Sequence, residues 1–179
     1  MPTHDEQITK KLDQFEKARD LDALRNAGRL VESRLVASGA ATGDPHSRQS
    51  KLELWLAVLD RIDRKLDRRF DPDDLPSITS EPPPELGLPA GVDPAAIKDP
   101  AARKQYEAAM EADRRKREEY DFQSELHQIN NDLTGRFGKF IAADCGKPEG
   151  EKQIRVSIES IIKNGDRRQE LNKMIEALK

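Results

Sequence analysis

Three histidines and one cysteine are the residues of this 179-residue chain best suited to acid–base, nucleophilic or metal chemistry. An imidazole catalyses when it is held beside a nucleophile, a carboxylate or a metal, so spacing decides which histidine matters. His4 lies near the start of the chain and His46 in the first turn of an expected helix; both read as exposed polar residues. His127 is the better placed, yet it follows Glu125 by two residues, which puts the two side chains on different helix faces. No Glu-x-x-His or His-x-x-x-His pairing accompanies it. A pocket near His127 would make the chain a small-molecule binder or a hydrolase, and this is the alternative to the main reading given below. Cys145, between Asp144 and Gly146 at an expected helix end, reads as a small apolar filler, and without a second cysteine there is no zinc spacing. Asp71, Asp73 and Asp74 lack the alternating ligands, central glycine and final glutamate of a calcium loop, so helix termination and turn chemistry account for them. Gly135-Arg-Phe-Gly138 is too short for a phosphate loop and follows no strand. No catalytic, cofactor-binding or metal-ligating residue is assigned, and no cofactor is expected.

One run of like charge remains, Arg114-Arg115-Lys116-Arg117. Clustered cations attract phosphates, but residues 101–121 hold six basic and six acidic side chains and sum to zero. A solvated helix with internal ion pairs is the reading that fits. The formal net charge of the whole chain is -3 with pI near 5.7, the opposite of the basic excess of a nucleic-acid or anionic-membrane binder. The four cations are therefore a candidate surface for a protein partner or for self-association, with no nucleic acid and no membrane span expected.

These residues must be positioned by helices. Apolar residues recur three and four apart on either side of a proline-laden stretch, Asp71 to Pro100, which holds eight of the 11 prolines. Ile8, Leu12 and Phe15 share one face of a first helix, with Thr3 or Asp5 as its cap. Asp20 or Asp22 caps a second carrying Leu24, Ala27, Leu30, Val31 and Leu35, unless the two run together, and Gly39 and Gly43 end it. Asp44-Pro45 starts a third, whose stripe of Leu52, Trp55, Leu59, Ile62, Leu66 and Phe70 predicts helix as far as Phe70. Proline then forces an extended segment, and its Leu75, Ile78, Leu86, Leu88, Val92 and Ile97 predict a strap docked on the helical body. Although this stretch is rich in proline, it lacks P-x-x-P spacing, so it does not read as a signalling ligand.

Asp99-Pro100 repeats the start signal, with Tyr106, Ala109 and Met110 on the first apolar face of a long helix. Asp113 to Glu119 has no apolar residue and should stand clear of the core as a charged arm. Apolar spacing resumes at Tyr120, and Asn130 to Gly135 predicts a break. A helical hairpin follows, with Asn164-Gly165 as its stop and Asp166 as the new cap. Nothing alternates like a β-strand.

The phrase Asp93-Pro-Ala-Ala-Ile-Lys-Asp-Pro-Ala-Ala-Arg-Lys-Gln-Tyr-Glu-Ala-Ala-Met110 resembles a segment of uncharacterised bacterial helical proteins, some of them exported. The resemblance implies a proline-punctuated helix start and a bacterial origin, and it carries no activity. The opening residues form no signal sequence, which leaves a soluble protein that is cytoplasmic or exported with its leader removed. The expected fold is all-α: an elongated bundle of five to seven helices bound by an extended strap. It would be a single domain over 1–179, with N-terminal helices in 1–70, the strap in 71–100 and C-terminal helices in 101–179. A non-enzymatic helical interaction or structural module is the function this reading favours.

Overall fold

The computed structural model describes residues 3–37, 45–78 and 81–179. Among them there is no strand, and there are six α-helices. These are α1 (His4–Ala18), α2 (Leu21–Ala37), α3 (Pro45–Asp63), α4 (Pro100–Ala143), α5 (Pro148–Asn164) and α6 (Arg167–Leu178), with two short 3₁₀ turns at Pro84–Leu86 and Pro94–Ala96. Gly39, Gly43 and Asp44, expected to punctuate the passage into α3, lie outside the described residues. The chain forms two compact units, residues 1–68 with 126–179, and residues 69–125.

Local chemistry sets the boundaries in the first unit. Thr3 and Glu6 form a reciprocal capping box at the start of α1. Arg19, in the left-handed region at φ 55, closes it, so α1 and α2 are separate helices. Asp20 accepts from the Ala23 backbone N–H at 3.0 Å and opens α2. The predicted stripes all turn inward: Ile8, Leu12 and Phe15 from α1, Leu24, Val31 and Leu35 from α2, Leu52, Trp55, Leu59 and Ile62 from α3. Leu126, Phe137 and Ile141 of α4, Ile154 and Ile161 of α5, and Met174 of α6 are buried in the same unit.

Two expectations about helix extent are corrected. α3 ends at Asp63 instead of Phe70, because Lys65 and Leu66 both return their backbone N–H groups to the Ile62 carbonyl and close a turn. Leu66 still reaches the core, whereas Phe70 packs in the other unit against Tyr120, with ring centroids 5.3 Å apart. No break interrupts α4 at Asn130–Gly135. There Asn130 and Thr134 are buried and Asn130 accepts from Arg167, so tertiary contacts hold in helix a run that favours turns by itself.

The second unit is the first half of α4 with the proline-rich strap lying antiparallel along it. Near its start the strap receives the Tyr120 hydroxyl on the Pro72 carbonyl at 2.6 Å. Near its end Arg103 donates to the carbonyls of Pro94 (2.9 Å) and Ala95 (2.8 Å). Asp71, Asp93 and Asp99 each fold their carboxylate back on a backbone N–H two residues on, at 2.9, 2.9 and 3.0 Å, which is the turn chemistry their sequence suggested. The strap's apolar residues do not all dock: Ile97 is buried, but Leu75 and Ile78 are 62% and 42% exposed. No helix among the described residues is long and apolar enough to cross a membrane.

Candidate functional site

The four predicted surface cations lie together on α4 in the second unit, where every residue from Arg114 to Glu119 is exposed. Each is engaged along its own helix. Arg114 pairs with Glu111 (2.7 Å) and Glu118 (3.1 Å), Arg115 with Glu111 (3.0 Å), Lys116 with Asp113 (3.6 Å) and Arg117 with Asp121 (3.3 Å). Hydrogen bonds from Arg114, then Arg115, hold the Glu111 carboxyl below its ordinary range and raise Arg114 in turn. Pairs of this spacing in water are screened by solvent and add little, so the cations are held loosely.

His127 faces the segment that follows α3. Its Nε2 lies 2.8 Å from the carbonyl oxygen of Asp67, an arrangement that ties α4 to the turn after α3. Cys145 is 1% exposed and donates to the Ala177 carbonyl at 3.1 Å, which joins the end of α4 to α6. Asp71, Asp73 and Asp74 are exposed in their turn, and no group of three or more His, Cys, Asp or Glu among the described residues is placed to hold a metal ion. Gly135 and Gly138 sit inside α4, and Gly138 is there for packing, since a Cβ would run into Ile158. For His4 and His46 the side chains lie outside the described residues.

A groove of about 270 Å³ runs between α2 and α4, with Arg25, Arg29 and Arg136 along it and Gly28, Ile129 and Leu133 below. It neutralises itself: Arg136 Nη2 donates to both carboxylate oxygens of Glu32, at 2.8 and 2.9 Å, Arg136 is also near Asp132, and Arg25 pairs with Asp22 at 2.9 Å.

The residues that sequence reasoning missed are buried ionic ones in the first unit. Lys51 Nζ and Asp144 Oδ2 are 2.9 Å apart with both side chains 7% exposed. Arg167, equally buried, contacts Asp63 Oδ2 at 2.7 Å and donates to Asn130 Oδ1 at 2.8 Å. Burial pushes its guanidinium down to about 10, against the pull of Asp63. Glu170 is buried too, and its carboxyl is lowered chiefly by the hydrogen bond from Lys173. A signal for both sets was present: Lys51 shares a face with Trp55, Val58 and Ile62, and Arg167 and Glu170 share one with Met174.

The acid response of the fold follows from these carboxylates. Glu16 is lowered by Arg64 first and then Arg61, and Glu170 by Lys173, so both have folded pKa values under the ordinary 4.5. Between the two values the unfolded chain binds more protons, so their contribution is complete above 4.5 and disappears as pH falls through the folded values. Urea denaturation midpoints are expected to fall below pH 4.5, and Glu16→Gln is expected to flatten that fall in proportion to its share; an unchanged slope in the variant would contradict the assignment.

No family model, no curated protein and no solved structure matches this chain.

Proposed function

We propose that the protein is a non-enzymatic interaction module that presents Arg114, Arg115, Lys116 and Arg117 to a protein partner. The observation that carries this reading is that six consecutive residues of α4, 114–119, are exposed while the strap covers other parts of the same helix. Helix stability there does not depend on a neighbour, because the four cations are paired only with acids one turn away on α4. A partner's carboxylates can therefore replace Glu111, Glu118 and Asp121 at little cost to the fold. The partner class is protein, since the second unit carries fourteen acidic residues to eight basic ones and its field repels a phosphate backbone.

The test is capture of partners from the source cell on the immobilised chain, beside a variant with residues 114–117 changed to Glu and another with the same four changed to Gln. Both variants are expected to keep the far-UV signal and melting temperature within a few degrees and to lose the same specific partner. Retention of that partner by both folded variants would overturn the assignment of the surface.

A further inference from the structure

The helix α6 buries a charged face. Its buried residues are Arg167, Glu170 and Met174, one stripe spaced three and then four apart, and two of the three are ionisable. A docked amphipathic helix is ordinarily held by apolar burial, at roughly 25 cal/mol per Å². In α6 that burial falls mainly to Met174, with Leu171 and Leu178 half-buried and Ile175 38% exposed. The neighbouring α5, by contrast, buries Ile154, Ile158 and Ile161.

The two buried charges orient α6 without holding it strongly. Arg167 Nε is buried without a hydrogen-bond partner, while the Glu170 carboxyl is held by Lys173, Ser157 and Ser160. Arg167 Nη1 has its ion pair with Asp63, whose side chain is 32% exposed, so the pair recovers only part of the desolvation of Arg167, and the unpartnered Nε adds a cost. At the start of the helix Asp166 makes no side-chain cap. At its end, the Cys145 thiol donates to Ala177, and Gly150 leaves the space in which these two meet.

We infer that α6 is a latch: it undocks as a unit while the remainder of the first unit stays folded, and its release removes the wall that covers Cys145. This goes beyond partner binding by residues 114–117, and either can fail without the other. The chain's one cysteine is the reporter, at 1% exposure in the docked state.

The experiment uses the full chain and two readouts under increasing, sub-denaturing urea: labelling of Cys145 by Ellman's reagent, and hydrogen exchange of the α6 amides by mass spectrometry. Both are expected to proceed through an opening that depends less on urea than global unfolding does, with the α3 amides still protected. Arg167→Met combined with Asn130→Leu, which replaces the polar contact with an apolar one and leaves the part-exposed Asp63 its pair with Arg68, is expected to slow both at least about tenfold. Met174→Ala, which removes the main apolar anchor, is expected to speed both at least about tenfold. If labelling and α6 exchange occur only with global unfolding, or if Cys145 labels rapidly while α6 stays protected, the latch is wrong.

Discussion

Asp144→Ala is expected to lower the free energy of unfolding by about 3–5 kcal/mol, a large fraction of the 5–15 kcal/mol typical of a whole domain. Lys51 and Asp144 meet at 2.9 Å with 7% of either side chain exposed, so truncation leaves an ammonium in the interior with no counter-charge on it. An ammonium left there without its carboxylate costs stability through its desolvation. Replacing both residues, Lys51→Met with Asp144→Leu, is expected to recover most of the loss, because the desolvation of both charges disappears with their attraction. Urea denaturation of the two single variants and the double variant makes a thermodynamic cycle. A single-variant loss below about 1 kcal/mol would mean that the pair behaves as a surface salt bridge.

The second large effect is at Gly150. A Cβ there would collide with Cys145 Sγ and lie 2.7 Å from the Ala177 carbonyl oxygen. Backbone cannot rotate out of the way, so Gly150→Ala is expected to push the last turn of α6 off and to cost about 1–3 kcal/mol, in spite of the better helix propensity of alanine. Gly28 is the control. A Cβ at Gly28 meets only the methyl ends of Leu133, at 2.7 and 3.2 Å, which a rotamer change can move. Gly28→Ala is therefore expected to lie within about 1 kcal/mol of the parent. Equal losses at the two positions, measured by urea denaturation, would show that backbone proximity to Ala177 is not what sets the cost.

Much of this architecture was legible in the sequence because local signals and tertiary packing agree. Thr3, Asp20 and Asp99 start helices where they were expected to, and the stripe from Leu52 to Ile62 faces the core. Where local and tertiary terms conflict, the tertiary terms prevail. Asn130 to Gly135 is composed for a turn but stays helical because Asn130 has Arg167 as its partner and Thr134 is buried. Phe70 continues the apolar spacing of α3 but belongs to Tyr120, a residue fifty positions away that no local window contains. The buried ionic pairs were hidden for a related reason: a lysine or arginine beside an apolar stripe is read as its solvated edge, and only the fold brings Lys51 to Asp144, 93 positions on. The candidate cations at 114–117 were legible because a run without apolar residues has no inward face to offer.

The aromatic residues divide the molecule spectroscopically. The single tryptophan, Trp55, is fully buried in the first unit, and both tyrosines, Tyr106 and Tyr120, belong to the second. Indole emission therefore reports on the surroundings of Trp55 in the first unit. Tyrosine signals, in which the Tyr120 hydroxyl senses its bond to Pro72, follow the second unit without any added label. Each half of the chain thus carries its own intrinsic chromophore, and loss of order in one can be timed against the other in a single cuvette.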